Sequence, residues 1–162
     1  MTTRDELRGL LYGSHAHLHI LHALEGLPTS EAGATVEGSP HTIFQVLHHM
    51  TYWTDIAVAR MHGDDPPDPA SAAEGWDFPA APEDESDWEA AVASLAEGLR
   101  AIEALVADPE YDLDRVAHAR TGSSARHEVL MVQGHNSYHL GQIVQLRQQL
   151  GSWPPPRGGD TW

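Results

Sequence analysis

The chain has 162 residues, 41% of them hydrophobic, which is the length of one domain spanning 1–162 and enough apolar material for one core. Nine Lys plus Arg against 24 Asp plus Glu give a formal net charge of -15, which argues against nucleic acid or an anionic membrane as a partner. With no cysteine there is no disulfide framework and no thiolate metal site, so any thiol in a reaction must arrive on a small molecule.

Residues Met1 to Arg8 carry charges of both signs and lead into a helical pattern, and no long apolar span follows. A cytoplasmic protein is therefore expected. Leu7, Leu10, Leu11, Leu18, Leu21 and Leu24 recur at steps of three and four, which predicts a first helix over about 4–27, closed by Pro28. After a polar stretch holding Gly33, Gly38 and Pro40, the positions Ile43, Phe44, Val46, Leu47, Met50, Trp53 and Ile56 predict a second helix over about 41–62. Residues 64–82 are rich in Pro, Ala and Gly without a period and are too long for a tight turn, so they read as a crossover along a bundle.

A third helix is predicted over about 83–107, with Glu83, Asp84, Glu85 and Asp87 at its positive end and Val92, Leu95, Leu99 and Ile102 as its core stripe. Residues 109–124 form a second irregular connection ending in residues suited to a helix cap. The fourth helix is predicted over about 126–150 and stops at Gly151. Without strand alternation or repeats, the pattern is that of an all-α four-helix bundle with one long crossover.

Twelve histidines are the composition's pointer to chemistry. His135 and His139 are four apart, one above the other on a helix face that continues through Gln142, Ile143 and Leu146, so two imidazoles face inward and can share an ion at about 2.0 to 2.1 Å. Spacing alone is weak, since about one such pair arises by chance among so many histidines. His15 and His19 have the same separation, and with His22 they read as polar side chains lining one end of the core. A third ligand is available from His48 or His49. His49 shares a stripe with Val46 and Trp53, His48 shares one with Phe44 and Tyr52, and periodicity leaves both open. Three imidazoles suit zinc, nickel, copper or iron and leave a position for water or substrate.

The fourth-helix run His135, three residues, His139, Leu140, Gly141, Gln142, Ile143, continuing to Leu146, Arg147 and Gly151, resembles the C-terminal signature of the DinB/YfiT-like superfamily. The run Ile43, Phe44, Gln45, Val46, Leu47, His48, His49, Met50 is similar to that family's other marker, in a register that selects His49. The resemblance implies a four-helix bundle, often homodimeric, with one divalent metal, zinc or nickel foremost, on His49, His135 and His139. It also implies a metal-dependent enzyme acting on a small molecule: a transferase using a low-molecular-weight thiol such as bacillithiol or mycothiol, or else a hydrolase using metal-bound hydroxide. A metal-binding stress-response module without turnover is the non-catalytic alternative.

Around these ligands, Gln142 is the candidate for orienting a histidine, and Tyr138, Asn136, Trp53, His15 and His19 are candidates for the pocket. Arg147 is expected to pair with Glu128 or Asp55. The acidic balance favours a neutral or cationic substrate over a strongly anionic one.

Overall fold

The computed structural model describes residues 2–13 and 16–159. It is all-α in its main architecture, built from helices α1 (Thr3–Leu11), α2 (Thr29–Ala32), α3 (Ile43–His62), α4 (Glu85–Ala107) and α5 (Ala125–Leu150). The long helices begin where their sequence allows capping. Thr42 and Gln45 form a reciprocal capping box on α3, Asp84 caps α4 and Ser124 caps α5. Gly63 and Gly151, both in the left-handed region, end α3 and α5.

α3 packs between α4 and α5, and α1 packs against the same two helices. Phe44, Leu47, Met50, Leu95, Leu99, Ile102 and Ile143 are among the side chains sealed between them. Where α3 meets α4 the backbones come close: a Cβ at Gly98 would lie 2.8 Å from Thr54 Cγ2, so only glycine fits there. Among the described residues, no helix is long and apolar enough to cross a membrane.

The first helix is much shorter than its leucine pattern predicts. It ends at Leu11, and Gly13 takes a φ of +88° that turns the chain away. Leu18, Leu21 and Leu24 still pack on the core, but from irregular chain and a 3-10 turn at His22–Leu24. Their spacing of three fits a 3-10 turn as well as an α-helix. The connection before α5 also holds structure that the sequence did not signal, a two-stranded antiparallel ribbon of β1 (Val116–His118) and β2 (Ser123–Ser124). With only two or three residues per strand there is no alternation to read.

The crossover lies antiparallel to α3 and is stitched to it. Thr42 Oγ1 donates to Ala80 O at 2.6 Å, Gln45 Nε2 to Phe78 O at 3.2 Å, and Arg60 Nη2 to Asp68 Oδ1 at 2.8 Å. Arg60, buried at 5% exposure, also faces the buried Glu128 of α5 at 3.5 Å. The pairing expected between Arg147 and Glu128 or Asp55 is absent. Nineteen residues separate positions 128 and 147 on one helix, about 28 Å. Arg147, at 1% exposure, instead donates to the carbonyls of Ala23, Glu25 and Ser152, locking the irregular segment after α1 to the end of α5.

Candidate metal centre

α3 and α5 pack with one inward face each, and three histidines meet at their crossing. The ligand-type nitrogens of His49, His135 and His139 all lie within 4.8 Å of one another. Among the described residues they form the only cluster of three or more histidine, aspartate or glutamate side chains placed closely enough to hold a metal ion. His49 and His139 are buried and His135 is partly exposed. His48 is elsewhere, its ring edge-on to Phe44 and stacked on Phe78 at 5.1 Å.

Short hydrogen bonds at Nδ1 fix which nitrogen His49 and His139 present. His49 Nδ1 lies 2.6 Å from Gly75 O, and a carbonyl can only accept, so Nδ1 carries the proton. His139 Nδ1 donates in the same way to Gln142 Oε1 at 2.6 Å, and His135 Nδ1 to Asn136 Oδ1 at 3.4 Å. His49 and His139 are thereby left with a lone pair on Nε2, and His135 presents one as well when its proton sits on Nδ1. His49 Nε2 and His135 Nε2 face each other at 3.1 Å. At that distance a neutral His135 can donate an Nε2 proton to the His49 lone pair, or both lone pairs can turn to a shared cation.

The rings stay uncharged near neutral pH. Burial, reinforced by the neighbouring His139, pushes His135 down to about 4, and burial also lowers His49 and His139. Neutral imidazoles with fixed, converging lone pairs are the donor set a divalent metal requires.

The crossover contributes more to this centre than its composition suggests. Trp76 stacks on His49 with ring centroids 3.7 Å apart and planes within 6°, and His41 stacks on Trp76 at 3.7 Å and 5°. Gly75 is confined as well: a Cβ there would sit 3.1 Å from His49 Nδ1 and 3.3 Å from Trp53 Nε1. Sequence reasoning singled out none of Gly75, Trp76 and His41. The available signal was Trp76 with Phe78, two large aromatics in a connection of mostly small and polar residues, which need a surface to cover.

The remaining candidates divide by location. Trp53 sits edge-on to His49 and His135, and Tyr138 edge-on to His139 while 68% exposed. Asn136 is fully buried, its Nδ2 donating to Thr54 Oγ1 of α3 at 3.4 Å. His19 stacks between Tyr12 and His22, at 4.9 and 4.5 Å, and makes no ring contact with the cluster. His15 lies outside the described residues.

Beside the cluster opens a cavity of about 310 Å³ whose wall includes Glu37, Ser39, His41, Gln142, Gln145 and Gln149. It shares Gln142 with His139 and His41 with Trp76, so a molecule held there would touch groups that position the ligand rings.

A family model described as the DinB superfamily matches residues 12–143, a span that contains all three clustered histidines. No curated protein and no solved structure matches the chain significantly.

Proposed function

The chain belongs to the DinB superfamily, and on that premise we propose that His49, His135 and His139 hold one divalent metal ion in an enzyme that transfers a low-molecular-weight thiol to an electrophilic substrate. The observation carrying this reading is the convergence of three imidazoles with no carboxylate among them, two of which, His49 and His139, are anchored through Nδ1 on oxygen acceptors at 2.6 Å so that Nε2 faces the cluster. Three imidazoles suit zinc, nickel, copper and iron, and of these the family resemblance favours zinc or nickel. When bound with a position open, such an ion stabilises a thiolate near neutral pH, chemistry the chain cannot supply from a cysteine of its own.

The protein's own residues do the positioning. Gly75 O and Gln142 Oε1 fix the tautomers of His49 and His139 and stop their rings from turning. Trp76 covers one face of His49 and keeps water from it. The adjoining cavity offers amides from Gln142, Gln145 and Gln149 and a carboxylate from Glu37, with no Lys or Arg in its wall. A neutral or cationic molecule rich in hydrogen-bonding groups suits that wall, and a strongly anionic one does not.

Elemental analysis of untagged protein tests the metal: about one equivalent is expected in the wild type and a loss in His49→Ala. Stoichiometric metal in that variant would sink the ligand assignment. Thiol consumption with monochlorobimane, screened over several low-molecular-weight thiols including bacillithiol and mycothiol, tests the reaction. Ester turnover without any thiol, lost when the metal is removed or in His49→Ala, would make the enzyme a metal-dependent hydrolase instead. Inertness towards every thiol and ester would leave a metal-binding module without turnover.

A further inference from the structure

A second arrangement with catalytic geometry lies on the other side of α5. Ser137 is two residues from both His135 and His139, which places it on the far side of the helix from the metal centre. Its hydroxyl oxygen lies 2.6 Å from His17 Nε2. His17 Nδ1 is 2.8 Å from Leu18 O, and because that carbonyl only accepts, Nδ1 holds the proton and Nε2 presents a lone pair. Ser137 therefore donates its proton to His17. Gln133 Nε2 donates to the same hydroxyl oxygen at 3.1 Å and fixes its orientation.

The ring of His17 is held by a feature that only glycine allows. A Cβ at Gly13 would fall 2.0 Å from His17 Cε1 and 2.2 Å from its Nδ1, so the imidazole rests directly on the bare Cα of a residue at φ +88°. A nucleophile, a base in hydrogen-bond reach and a third group orienting the base are the three parts of an activated serine. The pair opens on a cavity of about 320 Å³ walled by Leu18, Leu140, Val144 and Trp153, with Gln148 bringing a side-chain amide.

We propose that Ser137 and His17 are a nucleophile and general base that cleave small carboxylic esters with an apolar acyl group. Ser137 Oγ bonds to the ester carbonyl carbon while its proton passes to His17 Nε2. The carbon–oxygen bond to the alcohol breaks and the alcohol leaves with that proton. Water then attacks the acyl-serine, giving its proton to His17, and the carboxylic acid departs as Ser137 regains its hydrogen. No electrons change hands, and water is the sole co-reactant. The apolar wall fits a short alkyl chain and gives a charged acyl group no partner.

The full chain, as purified and after stripping with EDTA, is treated with a fluorophosphonate probe and with p-nitrophenyl butyrate. The expected result is one adduct on the peptide carrying Ser137, equal in both preparations, absent in Ser137→Ala and formed about 100-fold or more slowly in His17→Ala. Because the chain has no cysteine, Ser137→Cys supplies a single thiol, and its alkylation by iodoacetamide should be about tenfold or more faster than in Ser137→Cys with His17→Ala. No adduct on protein with native circular dichroism, an adduct at another residue, unchanged rates without His17, or loss of labelling with EDTA would each overturn the proposal. The metal reading stands or falls separately, on bound metal and thiol turnover.

Discussion

His49 and Gly75 are joined by a 2.6 Å hydrogen bond from the ring Nδ1 to the carbonyl oxygen, so the middle of the crossover sets the tautomer of a histidine on α3. The two residues also pack so closely that any side chain at position 75 meets the ring at 3.1 Å. Gly75→Ala should move His49 by a few tenths of an ångström without unfolding the bundle, since the crossover lies outside the core. Metal affinity is expected to fall about 10- to 100-fold, the range typical for disturbed ligand-orienting groups. Competition against a chromogenic chelator measures it, and an unchanged affinity would remove Gly75 from the centre.

Gln142 makes the equivalent bond to His139, at 2.6 Å, from three residues along the same helix. Gln142→Leu keeps the volume and removes the acceptor, leaving Nδ1 free to lose its proton to Nε2 and present the wrong nitrogen. A loss of about 10- to 100-fold in metal affinity is expected, with recovery in Gln142→Glu, which retains an oxygen acceptor. Should Gln142→Leu bind metal as tightly as the wild type, the side chain serves the neighbouring cavity alone.

The two sides of this centre differed in how readable they were. His135 and His139 are visible from spacing because both lie on one uninterrupted helix, where four residues return the chain to the same face. His49 against His48 is not decidable from periodicity, since both stripes of α3 are apolar: one packs on α5, and the other sets Phe44 against Trp88 of α4 and His48 against Phe78. Gly75 and Trp76 lie about 26 residues from His49 in irregular chain, and nothing periodic marks them. The break after Leu11 was hidden for a related reason, because the pattern of leucines reports burial and the same burial is met by a loop held in place by Arg147.

Glu128 and Arg60 form an ion pair across α3 and α5 with exposures of 2% and 5%. Glu128→Ala would leave the guanidinium buried with Asp68 as its remaining carboxylate partner. Breaking a buried pair from one side costs about 3 to 5 kcal/mol, and the surviving Asp68 contact puts the expected loss at the lower end. Glu128→Gln keeps an acceptor and should cost less. Urea denaturation of both variants checks the order, and equal stabilities would show that the charge on Glu128 is not what Arg60 needs.

Gly134 makes the opposite prediction from Gly75. It lies inside α5 on the exposed side, with nothing within 4 Å of where a Cβ would go. Gly134→Ala should stabilise the fold by about 0.5 to 1 kcal/mol, through the reduced entropy of the unfolded chain and better helix propensity. Metal content should be unchanged, as a rise in melting temperature at constant stoichiometry would confirm. A fall would mean that this face of α5 is covered by another surface in solution.

The histidines of the centre make metal-free protein sensitive to mild acid. Burial holds His135 near 4 and lowers His49, His139 and the stacked His41 beneath the ordinary value of 6.5. In the unfolded chain these rings take up protons near pH 6.5, whereas folded they stay neutral, so between those limits the unfolded state binds more protons. Stability therefore rises with pH across this window and is lost as pH falls from about 6.5 towards 4, by at most about 1.4 kcal/mol per pH unit for each ring. Bound metal should oppose this loss at first, because it holds the same Nε2 lone pairs against protonation. The urea midpoint of EDTA-treated protein is expected to drop between pH 7 and pH 5, and to drop less in His135→Asn, which has no ring to protonate. A midpoint that stays flat in the wild type would mean that the three rings are already protonated or solvated in the folded state, and the neutral, converging donor set would not exist.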